Sequence, residues 1–268
     1  MRFNFKKLII IFLILAGGLF LFNLKFNFFK FNNREVTTVQ KPGLSGSVSW
    51  SPSVLPRPSS PISPMPTPRS VAPPAPSILL EVPFFAQAPF GEWADPIFQN
   101  ACEEAAVVMA MHWVNGTLLT KEQAKSEILA VSEFEDKTYG PAIDRSVTDT
   151  LHLFKDYFNY QNVRARSNIS TEDIKQEILK GNLLVVPING QILKNPFYTP
   201  PGPAHHMIVV IGYDGNSDEF ITNDIGTRHG QKYRYKASRL EASLQDYPTG
   251  SHLPSTPGAT AMIVVEPK

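Results

Sequence analysis

The sequence predicts an α+β domain, and three observations carry that expectation. Helical patterns cluster between about residues 102 and 180. Short apolar runs rich in β-branched residues cluster after them, and the two sets do not alternate as they would in an α/β chain. All of this lies behind residue 78, leaving about 190 residues, enough for one domain with a substantial core. The expected arrangement is an N-terminal helical part packed on a C-terminal antiparallel sheet.

The elements follow in chain order. Residues 1–7 read as a short cytoplasmic tail containing Arg2, Lys6 and Lys7. Leu8 to Leu24 is a run of 17 uncharged residues, about 26 Å of helix at ~1.5 Å per residue. That is slightly short of a ~30 Å bilayer core but workable when Lys7 and Lys25 snorkel. The preceding positive charges favour a signal anchor with the rest of the chain outside; cleavage as a signal peptide would make the protein secreted instead. Residues 25–77 hold a Pro/Ser-rich extracytoplasmic linker in which eleven of the chain's 24 prolines fall between Pro42 and Pro76. Proline removes a backbone donor and fixes φ, so this stretch reads as a semi-extended spacer.

From residue 78 to 268 comes the folded domain. Helices are expected over Cys102–Val114, Lys121–Val131, Val147–Phe158, Thr171–Lys180 and Ser238–Gln245, with Thr120 and Ser170 as N-caps. Strands are expected in "ILLEVPFF", "LLVVPI", "HMIVVIGY", "EFITND" and "AMIVVE".

Composition excludes several classes. A net charge of +1 argues against a nucleic-acid partner, which calls for a basic excess. A single cysteine permits neither an internal disulfide nor a cysteine-based zinc cluster. No His/Cys/carboxylate spacing in the sequence resembles a zinc site, so neither metal nor cofactor is expected.

The one cysteine, Cys102, stands where a helix begins, in "NACEEAAVVMAM". A helix N-terminus favours a thiolate by only ~0.3–2 kcal/mol, and Glu103 and Glu104 oppose it. A reactive thiol therefore needs a cation. His112 is ten residues along the same helix, about 15 Å away by rise. His152, His229 and His252 read as surface or loop residues, which leaves His205 and His206 at the head of an apolar strand. If "HMIVVIGYDGNSDEFITND" is a hairpin with a loop from Tyr213 to Ser217, His206 stands directly opposite Asp224. A one-residue slip would bring Asn223 or Ile225 there instead. A carboxylate beside the imidazole would fix its tautomer and aim it at the thiol. Gln87, with Gln99 as its competitor, is a candidate side-chain donor to an oxyanion, together with the Cys102 N–H.

With "VPFFAQAPFGEW", "NACEEAAVVMAM", "GPAHHMIVVIGYDG" and "FITNDIGTRHGQKY" in this order, residues 82–233 resemble the papain-like cysteine peptidases of family 39 and their C39-like relatives. The resemblance implies Cys102 as nucleophile, His206 as base, Asp224 as the ring-orienting carboxylate and Gln87 as oxyanion donor. It also implies a papain-like fold and hydrolysis of peptide or isopeptide bonds through a thioester, the partner being a peptide or protein substrate. The chain departs from the family's usual glycine after the cysteine and proline after the aspartate, carrying Glu103 and Ile225 instead. The alternative expectation is an inactive C39-like module that binds a peptide or envelope component.

Overall fold

The computed structural model describes residues 75–268, so the expected anchor and most of the linker lie outside the described residues. Seven strands form one antiparallel sheet: β1 Ser77–Leu79, β2 Val163–Ser167, β3 Leu183–Ile188, β4 His206–Asp214, β5 Glu219–Asn223, β6 Tyr233–Lys236 and β7 Ala261–Val265. Their order is β2-β7-β3-β4-β5-β6, and β1 pairs with the far end of β4. The helices are α1 Pro96–Asn100, α2 Cys102–Asn115, α3 Lys121–Tyr139, α4 Val147–His152, α5 Thr171–Leu179, α6 Gly190–Leu193 and α7 Ala237–Ser243. A π-helical turn, Leu153–Tyr157, continues α4. The α+β expectation holds. Among the described residues no helix is long and apolar enough to cross a membrane.

The apolar runs that read as strands do so because β3, β4 and β7 are central and buried on both faces. Met207, Val209 and Ile211 point to one face of β4, against α2 and its neighbours. Ile208 and Val210 point to the other face, where Ile174 and Ile178 of α5 cover them. Helix α2 is apolar nearly all round, as a helix enclosed on several sides must be. Gly116 ends it in the left-handed conformation, its N–H returning to His112 and Trp113 carbonyls.

Two expectations need correction. "ILLEVPFF" is a strand only at its first two residues, Ile78 and Leu79, which complete β1, because the chain leaves β4 after Leu80 and Pro83 has no N–H to pair. The hairpin register also differs. Asp214 pairs with Glu219, and after a bulge between Val210 and Gly212 the ladder ends at Val209 opposite Asn223. His206 is therefore not directly opposite Asp224: the turn closes at Asp214–Glu219, a later register than expected, and the bulge restores one residue, which leaves the two as diagonal neighbours on one face.

Candidate active site

Cys102 is placed by a break in the chain. Asp95 caps α1 by accepting from the Ile97 N–H, and Ala101 then kinks the backbone (φ −86°, ψ 35°) so that α2 starts afresh at Cys102. Ala101 has no side chain to cap the new helix, so the first-turn N–H groups receive no side-chain acceptor. That is the local geometry a developing oxyanion needs.

Asp224 begins the loop after β5. Its N–H donates to the Gly230 carbonyl (3.0 Å), and a Cβ at Gly230 would lie 1.7 Å from the Asp224 oxygen, so only glycine closes this loop. The carboxylate is completely buried and accepts from five groups. Oδ1 takes His206 Nε2 (3.0 Å) and the Gly226 N–H (3.1 Å). Oδ2 takes the hydroxyls of Tyr198 and Tyr235, both at 2.6 Å, and Asn195 Nδ2 at 2.9 Å. Burial pushes its pKa up, but the His206 contact and the two tyrosines outweigh burial and hold it below the usual carboxylate value. Asp224 rather than Asn223 meets the imidazole. Asn223 turns instead to the Pro83 carbonyl and Met109 Sδ.

The imidazole of His206 sits between Tyr198, edge-on at 5.6 Å, and Gly226, where a Cβ would come within 2.9 Å of Nε2. Gln87 is brought near by its backbone N–H, which donates to the Ile225 carbonyl (2.9 Å). Its side-chain amide donates to the carbonyls of Phe98 and Gln99 at 3.1 and 3.0 Å. Cys102, Gln87, Gln99 and His206 line one cleft of about 800 Å³. An adjoining compartment of about 880 Å³ shares Trp93, Gln99, Thr199 and Gly226 with it, so the two form a continuous groove.

The thiol itself is turned toward Glu103. Sγ donates to Glu103 Oε2 at 3.0 Å, and Tyr247 Oη lies 4.0 Å from the sulfur. Glu103 Oε1 accepts from the Tyr247 hydroxyl (2.8 Å) and the Arg145 N–H (3.2 Å). Burial, reinforced by the Glu103 carboxylate, pushes the thiol well above its ordinary range. Burial and the charge of Glu104 raise Glu103 to about 7. Arg145 also pairs with the buried Glu135 at 2.8 Å, anchoring this acidic floor beneath the cysteine.

The raised acid has a consequence for stability. Between its ordinary 4.5 and about 7, Glu103 holds a proton in the folded state that the unfolded chain has lost. Stability from this group therefore falls as pH rises through that window, by up to ~3 kcal/mol at ~1.36 kcal/mol per unit. Glu103→Gln should flatten the fall and raise the melting temperature at about pH 8. It should also raise the iodoacetamide alkylation rate of Cys102 severalfold, because the buried carboxylate that opposes the thiolate is gone. Unchanged alkylation against pH would show that Glu103 does not set the thiol's state.

The family model for the Peptidase_C39 like family matches residues 79–251, well over half the chain. The chain belongs to the peptidase C39-like family. A candidate C39-like peptidase from Bacillus anthracis, solved by crystallography, aligns with 14% identity and a TM-score of 0.41. The alignment covers 71% of this chain and 98% of that one. No curated protein matches the chain.

In this C39-like domain the sequence pointed to Cys102, His206, Asp224 and Gln87; Cys102, His206 and Gln87 line the cleft, Asp224 bonds to His206, and the thiol bonds to Glu103 rather than to the imidazole. It did not point to Tyr198, Asn195 and Tyr235, which complete the shell of Asp224. Nor did it point to Tyr247 and Arg145, which hold Glu103. Four of them lie 26 or more residues from their partner, and Tyr235, eleven residues from Asp224, sits on an edge strand that no local pattern marks. His112 pairs with Glu127 (2.8 Å) at the far end of α2, as its distance from the cysteine requires.

Proposed function

We propose that this C39-like domain hydrolyses peptide or isopeptide bonds through a thioester on Cys102. The observation that supports this best is the buried His206–Asp224 pair bordering the cleft that Cys102 lines. Because Nε2 is held by the carboxylate, Nδ1 is the ring nitrogen left for the thiol. When a peptide fills the groove, the thiol turns from Glu103 to the imidazole and gives up its proton to Nδ1. Sγ then forms a bond to the carbonyl carbon, and the oxyanion is met by the Cys102 N–H and by the Gln87 amide once it turns one N–H away from the Phe98 or Gln99 carbonyl. The imidazolium returns the proton to the leaving amine, the C–N bond breaks, and the same ring activates water to release the acid. A groove of two joined compartments suits an extended chain. The apolar N-terminal segment and proline-rich linker would hold the domain on the outer side of a membrane.

A second reading has its own observation. The Cys102–Glu103 hydrogen bond keeps the sulfur protonated, as suits a module that binds a peptide without cleaving it. Peptidyl chloromethyl ketones distinguish the two, since they alkylate a thiol that an imidazole activates in a peptide-filled groove. The expected result is a mass adduct on Cys102 that His206→Ala abolishes without changing the circular-dichroism spectrum. Labelling at the same rate in both proteins would remove His206 from the mechanism and favour the binding module.

A further inference from the structure

Beside the thiol, and independent of its reactivity, three other side chains of the cleft wall converge. We propose that Asp144, His205 and His252 form a binding site for a divalent metal ion of the zinc class. Asp144 Oδ2 lies 3.0 Å from His205 Nδ1 and 3.1 Å from His252 Nδ1. One ligand atom from each of the three residues lies within 4.8 Å of the other two. Zinc binds imidazole nitrogen and carboxylate oxygen at ~2.0–2.2 Å, which spaces tetrahedral ligand atoms roughly 3.3 Å apart. Small side-chain movements reach that spacing.

The cluster has the supports of a built site. Asp144 and the loop carrying His252 are clamped by a two-way backbone bridge, Asp144 N–H to Gly250 oxygen (2.9 Å) and Gly250 N–H to Asp144 oxygen (3.0 Å). His205 is stacked on Tyr247, with centroids 4.6 Å apart and planes 14° from parallel. Its other nitrogen, Nε2, meets Ser255 Oγ at 3.2 Å, the outer contact that fixes the ring of a metal-bound histidine. His252 takes φ +50°, in the left-handed region, and its backbone N–H donates to Asp144 Oδ2 at 2.8 Å.

A purely structural role explains His205 better than His252. The nearly buried Asp144 already receives the His205 ring and a backbone N–H, yet the His252 side chain, 63% exposed, is also drawn onto the same oxygen. An imidazole that free in solvent gains little from one more hydrogen bond, whereas two imidazoles and a carboxylate facing an open cleft leave a fourth position for water or a substrate group. The ligand types suit zinc, nickel or copper rather than calcium or magnesium.

The test uses the full-length chain in detergent, stripped with chelator, in a Cys102→Ser background so that the thiol cannot contribute. Titration with zinc chloride should give one saturable site per chain, and cobalt(II) should develop visible ligand-field bands. His252→Ala, a change at an exposed loop position, should weaken zinc binding by more than about tenfold, because removing a ligand costs at least what losing an outer partner of a ligand does. His152→Ala, at an exposed histidine elsewhere, should leave it unchanged. Absence of a saturable site, or equal zinc affinity in the His252→Ala protein, overturns the proposal.

Discussion

Replacing Cys102 with alanine should abolish hydrolysis while leaving the domain folded. Loss of the nucleophile in a covalent hydrolase costs on the order of 10⁶ in turnover, because the remaining groups act only through it. The effect on stability is far smaller. The side chain is small, and the thiol's one strong contact is its hydrogen bond to Glu103 Oε2. Losing that donor costs about 0.5–1.5 kcal/mol, partly offset because Glu103 still accepts from Tyr247 and Arg145. Turnover of a fluorogenic peptide library and a thermal melt separate the two effects. Equal turnover in the variant and the parent would place the chemistry elsewhere.

The second large effect is expected from Asp224→Asn. All five groups around this carboxylate donate to it, three on Oδ2 and two on Oδ1. An asparagine must turn its NH₂ toward one of these sets. Facing His206, it makes Nε2 an acceptor and leaves the ring's proton on Nδ1, where the thiol needs a vacant lone pair. Facing the tyrosines and Asn195, it sets donor against donor in a site without solvent. The wrong tautomer costs about 10⁴ in turnover where a triad carboxylate has been changed in this way. The donor conflict costs roughly 1–3 kcal/mol of stability. Both should appear together, as a loss of kcat/KM and a lower melting temperature. A loss of less than about tenfold in turnover would mean that Asp224 supports the fold and not the ring.

The same carboxylate brings an acid limit. Because its folded pKa lies below the unfolded value, the stability it contributes is present above the unfolded pKa and lost as pH falls through the folded one. Glu103 acts in the opposite sense, and its contribution falls as pH rises toward about 7. Two buried carboxyl groups, one bonded to His206 and the other to Cys102, thus tilt the stability profile in opposite directions, for physical reasons that differ. Asp224 is surrounded by donors, whereas Glu103 shares its buried corner with another acid.

Much of this was legible along the chain. "LLVVPI" and "HMIVVIGYD" announced buried central strands because burial on both faces leaves nothing but apolar residues. Thr120 and Ser170 announced helix starts because a capping box is local, and both boxes form. The edge strands "VRARS" and "YRYK" went unseen, since each pairs on one side only and carries charges outward. Helix α3 runs on to Tyr139, past the last strongly apolar residue, because Val131 and Glu135 stay buried against the neighbouring elements.

The α+β class, the lone thiol at a helix start, and an imidazole and carboxylate on one hairpin are readable from the chain alone. These depend on periodicity and on neighbours within about twenty residues. Packing sets the rest: the turn register and bulge that make the His206–Asp224 contact diagonal, the resting thiol facing Glu103, and the meeting of Asp144, His205 and His252. Such choices are made where segments as far as 108 residues apart are packed together. There, burial and competing hydrogen bonds select the partners, and no spacing along the chain records the result.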